Sequence, residues 1–146
     1  MSKLVQQART YIGTPYRHRG RKRTGIDCAG LPWCCYADLG VSLPDLRVYG
    51  REPHQDGMMT AVRAALGGPV WHGAKGTCPH DVLQPGDVVV LVFSLEPHHM
   101  AIVGDDAMYG LSLIHADGTL GVSRVVEHGM EAHHLAMICA VFRRPV

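Results

Sequence analysis

The chain has 146 residues, 47% of them hydrophobic and 18% charged, and a formal net charge of +1. That suits one soluble domain over residues 1–146, and so weak a global field does not demand nucleic acid as a partner. No apolar run nears the roughly 20 residues that span a bilayer, and the opening MSKLVQQARTYIGTPY has no signal-peptide core, so synthesis in the cytoplasm without export or membrane insertion is expected.

Leu4, Val5, Ala8, Tyr11 and Ile12 recur at helical spacing after a capping Ser2, and Gly13-Thr-Pro15 stops the run. The pattern predicts a helix of about three turns. Residues 16–26 read as a loop with five cations from Arg17 to Arg23. Such a run is ordinarily solvated, with anion binding as the sharper alternative. A second helix is expected from Asp27 to Leu39, stopped by Gly40; Pro32 fits only in its first turn, where no backbone bond is lost. A third spans Gly57 to Leu66, capped by Asp56 and ended by Gly67-Gly68.

After Trp71 the pattern turns strand-like. Leu83-Gln-Pro-Gly-Asp87 is a turn feeding VVVLVF, residues 88–93, which reads as a buried strand. Met100–Val103, Leu111–His115, Gly121–Val126 and Leu135–Phe142 are further strands. The turns between them, Gly104-Asp-Asp106 and Asp117-Gly118, favour antiparallel neighbours. Helices first and strands afterwards is the α+β pattern.

Five cysteines are an odd number without a secretory signal, which points to reduced thiols rather than a disulfide framework. Zinc fits poorly, because Cys34 and Cys35 are adjacent, Cys28 stands apart, and Cys78-Pro-His80 would have to supply the second ligand pair. No metal is expected. Cys34, Cys35 and Cys139 read as small buried hydrophobes. Cys28 has different neighbours: it sits at an expected helix start, where unpaired N–H groups and the helix dipole favour thiolate and lower the pKa, and small Ala29-Gly30 follow. A buried packing cysteine is the competing reading.

A nucleophilic cysteine needs a base, and the base needs a group to orient it. His99 opens one strand and His115 closes the next. If those strands pair antiparallel through Gly104 to Gly110, the two imidazoles become neighbours on one face, and alternation sends His98 to the other. His54, His72, His80, His128, His133 and His134 fall in loops or polar flanks, where a solvated histidine is expected.

Four blocks, YIGTPYRHRGRKRTGIDCAG, LQPGDVVV, HMAIVGD and LIHAD, in that order over residues 11–117, together resemble the NlpC-type cell-wall peptidases. These are papain-like cysteine enzymes that cut peptidoglycan stem peptides. The resemblance implies an α+β, papain-like fold with N-terminal helices packed on a mainly antiparallel sheet of about five or six strands. It implies Cys28 as nucleophile within Asp27-Cys28-Ala29-Gly30, His99 as base and His115 as the third polar residue. Tyr16, Asp27 and Ala29 become the substrate-binding set, with Tyr16 lining the site and Asp27 receiving the amino group of a short stem peptide. Ala29 stands where the family has serine, Met100 where glycine is common, and Pro32 interrupts a normally regular helix. No cofactor is implied.

The implied reaction is hydrolysis of a stem-peptide amide, that between D-glutamate and the diamino acid. The single domain and the ending VVEHGMEAHHLAMICAVFRRPV resemble a subgroup associated with phage tails and gene-transfer particles. That implies a virion or tail-particle component with other tail proteins as partners, carried to the wall without an export signal. Two other readings stay open: a tail structural or adaptor protein with a peptidase-like fold, and a thiol-dependent acyltransferase or deamidase.

Overall fold

A computed structural model describes residues 2–45, 57–92, 97–108 and 110–146. Helix α1 spans Lys3–Arg9, started by the Ser2 hydroxyl, which accepts the Val5 N–H at 3.3 Å. It is shorter than the periodicity predicts. After Arg9 the chain tightens into turns, with the Tyr11 N–H on the Ala8 carbonyl, and Gly13 takes φ +91°. Tyr11 is nevertheless buried in the core with Leu4, Val5 and Ala8.

Within the cationic stretch, expected as loop, strands β1 (Arg21–Lys22) and β2 (Gly25–Ile26) form a small antiparallel hairpin. Helix α2 spans Gly30–Asp38, so Pro32 lies in its first turn, as the chemistry of proline requires. Helix α3 spans Met58–Leu66 and follows Gly57; the proposed cap, Asp56, lies outside the described residues.

The remaining strands are β3 (Trp71–His72), β4 (Val88–Val92), β5 (Pro97–Asp106), β6 (Gly110–Asp117), β7 (Arg124–Gly129) and β8 (Ile138–Phe142). Phe93, expected at the end of β4, lies outside the described residues. Strand β3 has no counterpart in the sequence reading, and β7 runs three residues beyond the expected Val126. The segment expected as one strand, Leu135–Phe142, divides in two. Its first residues finish helix α4, Ala132–Met137, which is seeded by a capping box between Glu131 and His134; only the rest is β8.

The sheet order is β3-β8-β4-β5-β6-β7, with every neighbouring pair antiparallel. Six antiparallel strands with α1, α2 and α3 on one face and α4 on the other match the expected α+β architecture. One face packs Val88, Val90, Met100, Ile102, Ile114 and Phe142 against α1, α2 and α3. The other packs Val89, Leu91, Ala101, Val103, Leu113 and Val141 against Trp71, Leu83 and α4. Burial on both faces explains why β4 reads VVVLV without alternation.

Strands β5 and β6 continue through Gly104, the expected turn, to an Asp106–Gly110 pair. Gly104 faces Ser112 so closely that a Cβ there would lie 2.4 Å from its hydroxyl oxygen, which is why no larger residue fits. Arg9 of α1 ties down the far edge, its Nε and Nη2 each 2.9 Å from the Glu127 carboxylate of β7.

Candidate active site

Cys28 lies in the turn just before α2, 7% exposed, in the core cluster that contains Leu31 and Met100. The backbone amides of Met100 and Ala29 stand against its sulfur, which sets the thiol beside the opening of β5. Burial, and then the charge of Asp27, push the thiol pKa up to about 12, against a smaller opposing pull from Arg21 and the two amides. This overturns the expected lowered pKa. The helix begins after Cys28 rather than at it, and desolvation outweighs the helix-end field, so the thiol is protonated at neutral pH.

Asp27 is 1% exposed and fully engaged. One oxygen accepts the Gly30 N–H and the Arg21 Nη1–H, each at 2.8 Å, and the other accepts the Arg19 N–H at 2.8 Å. Those contacts cap α2 and lock the β1–β2 hairpin to it. A substrate amine received at Asp27 would share the carboxylate with these donors. Arg21 continues the network, its Nε lying 3.0 and 3.1 Å from the two oxygens of Asp45. The cationic run therefore divides: Arg21 is buried, Arg23 stacks 4.0 Å over the Tyr11 ring, and Arg17 and Lys22 face water.

Ala29 stands at the N-cap position of α2, and with Pro32, Trp33, Met58 and Met100 it lines an apolar groove between α2 and α3. The three departures from the family pattern, Ala29, Pro32 and Met100, thus meet on one wall. Tyr16 is half-buried with its ring over Gly118, so close that a Cβ there would meet ring carbons at 3.0 Å. Gly118 borders the histidine cavity described next.

Because Ile102 pairs with Ile114, continuing the β5–β6 register sets His99 diagonal to His115 on one face. Their Nε2 and Nδ1 atoms are 2.8 Å apart. The expected pairing of these two histidines is therefore present. A third imidazole extends it: His115 Nε2 is 2.8 Å from His128 Nε2, and His128 Nδ1 is 3.0 Å from the Gly129 carbonyl oxygen. These rings border a cavity of ≈ 290 Å³ with Asp117, His134 and Met137. Burial, and then neighbouring His128, push the His115 pKa down to about 4, so His115 is neutral in ordinary buffers.

Sequence reasoning placed His128 in a polar flank because it ended β7 at Val126. Had the strand been carried two residues further, alternation would have put His128 on the face of Val126, the residue that pairs with His115. His134 is half-buried against His128, with ring centroids 4.7 Å apart, whereas His72, His80 and His133 are exposed. His54 and the side chain of His98 lie outside the described residues. Cys34 and Cys35 are core residues as read, Cys78 is buried, and Cys139 is half-buried in β8. Among the described residues no group of His, Cys, Asp and Glu is arranged to hold a metal ion.

Comparison with known proteins adds three kinds of match. Residues 13–138 match the family model described as the NlpC/P60 family. A protein of Mycobacterium tuberculosis named "Probable endopeptidase" is 31% identical over 106 residues, which is 72% of this chain and 22% of that protein. A Mycobacterium bovis protein of the same name matches equally, so the chain corresponds to about a fifth of the length of these relatives, at 22%.

Among solved structures, the NlpC/P60 domain of the peptidoglycan hydrolase SagA superposes with a TM-score of 0.58 at 18% identity, covering 97% of this chain and 96% of that one. A Staphylococcus aureus lipoprotein-like member of the NLP/P60 family gives 0.61 at 18% identity, covering 99% and 41%. The P60 domain of an antigen from M. avium subspecies paratuberculosis gives 0.57 at 17% identity, covering 97% and 91%. At such identities the structural likeness speaks for the fold. Taken with the family model over most of its length, these matches establish that the chain belongs to the NlpC/P60 family.

Proposed function

We propose that this protein is a cysteine peptidase that hydrolyses stem-peptide amides of peptidoglycan, with Cys28, His99 and His115 as its catalytic set. The observation that carries this reading is the 2.8 Å His99–His115 pair on a strand whose next residue, Met100, presents its amide to the Cys28 sulfur. The names of the relatives, an endopeptidase and a peptidoglycan hydrolase, supply the substrate class.

Because the resting thiol is protonated, His99 takes its proton as the sulfur attacks the carbonyl carbon. Backbone N–H groups at the start of α2, that of Cys28 included, stabilise the oxyanion. The C–N bond breaks as His99 returns the proton to the leaving amine, and water then cleaves the thioester with His99 as base. His115 holds the imidazole in place. The bond between D-glutamate and the diamino acid is the proposed target, and a phage-tail-type particle, with other tail proteins as partners, is the proposed setting. The apolar wall of Ala29, Pro32 and Trp33 accommodates methyl groups rather than a bound amine.

Cys28→Ala should reduce release of stem-peptide fragments from purified wall by at least about 10³-fold, with the circular dichroism spectrum unchanged. Mass spectrometry of products from defined muropeptides identifies the bond; retained cleavage by the alanine variant would sink the assignment. The 7% exposure of Cys28 favours one other reading, a docking module whose site stays closed. Wild-type protein that releases no fragment from wall or muropeptide would select it.

A further inference from the structure

We propose that His128 is a positioning residue of this site: through its hydrogen bonds to Gly129 and His115 it fixes the tautomers of three imidazoles and leaves the lone pair of His99 on Nδ1. The consequence for catalysis rests on the peptidase reading; the hydrogen-bond directions do not.

The directions follow from one fixed end. A carbonyl oxygen only accepts, so His128 Nδ1, 3.0 Å from the Gly129 oxygen, must carry hydrogen. A neutral imidazole has one N–H, so His128 Nε2 holds a lone pair. The 2.8 Å contact from that atom to His115 Nε2 therefore needs its hydrogen on His115. His115 is neutral, so its Nδ1 must accept, and the 2.8 Å contact to His99 takes its hydrogen from His99 Nε2. In its neutral form His99 then has its lone pair on Nδ1. That is the nitrogen a general base needs, and an acceptor at the far end of β7 selects it.

The same chain can run backwards. A proton added to His128 makes its Nε2 a donor, so His115 must accept there and hold its hydrogen on Nδ1. His99 then accepts at Nε2 and carries its own hydrogen on Nδ1. One proton enters at His128, none is lost, and the basic nitrogen disappears at the other end. The titratable groups around His128 are His115 and Asp117 of β6 and His134 of α4, with His133 and Glu131 beyond it. Glu127, the preceding residue, is engaged by Arg9 and Ser112.

Nitrogen-15 spectra of the histidine side chains in the resting protein read the tautomers directly. We expect His99 and His115 as Nε2–H and His128 as Nδ1–H. In His128→Phe, which keeps a flat ring without nitrogens, His99 and His115 should become tautomer mixtures, and kcat on a defined muropeptide should fall about tenfold, or about 1.4 kcal/mol, with KM nearly unchanged. His128→Gln retains an acceptor and should recover most of kcat. His128 found as Nε2–H in the wild type, or unchanged His99 and His115 tautomers in His128→Phe, would overturn the assignment. If the wild type cleaves no muropeptide, the peptidase reading fails while the spectra still decide the tautomers.

Discussion

Arg21 places one guanidinium between the carboxylates of Asp27 and Asp45, beside a buried thiol, and the balance of those charges sets how hard Cys28 is to ionise. Asp27→Asn keeps an oxygen for the Gly30 N–H but removes the negative charge next to the sulfur. The Cys28 pKa should fall, seen as faster alkylation of the Cys28 peptide at mildly alkaline pH. Arg21 would then keep one carboxylate of two, and breaking a buried pair costs about 3 kcal/mol, measurable by urea denaturation. An unchanged alkylation rate would mean that the thiol does not feel the Asp27 field. The pairing of His99 with His115 could be read in the sequence because it follows from alternation along strands. Cys28 is expected at a helix start, whereas the helix begins after it. The partnership of Asp27 with Arg21 could not be read, because it depends on how a loop folds back over that turn.

At the level of elements, the β5–β6 pair carries both His99 and His115, and its close approach at Gly104 makes it sensitive to a single methyl group. Gly104→Ala should destabilise the fold by about 1–3 kcal/mol and weaken the His99–His115 contact. Adding Ser112→Ala removes the nearest atom and should recover part of that loss; a double-mutant cycle with no coupling would show that the two positions do not clash. Strand β4 was easy to read because an unbroken apolar run fits a sheet covered on both faces. Helix α4 was not, because its apolar residues Leu135, Ala136 and Met137 join directly onto β8. Its capping box also uses Glu131 and His134 in place of the usual Ser/Thr and Glu/Gln.

For the whole molecule, the depressed His115 pKa links the site to acid stability. The unfolded chain binds a proton at this residue near its ordinary value of 6.5, whereas the folded chain resists until about 4. Stability from this source is complete above 6.5 and lost as pH falls toward 4, a difference of about 3 kcal/mol. Urea midpoints at pH 7 and pH 4.5 should therefore differ more for the wild type than for His115→Asn, and equal differences would assign the acid sensitivity elsewhere.

The strand order places β8, the last in the chain, between β3 and β4. During synthesis the ribosome must pass residue 142 before that slot can be filled. Until then β4 presents an open edge of VVVLV, hydrogen-bonding groups and all, to whatever else is nearby. A nascent chain stalled short of β8 can hold Cys28, His99, His115 and His128 and still lack the strand that closes the sheet beneath them. Until β8 docks, the chain is expected to associate through that edge more readily than the folded protein does.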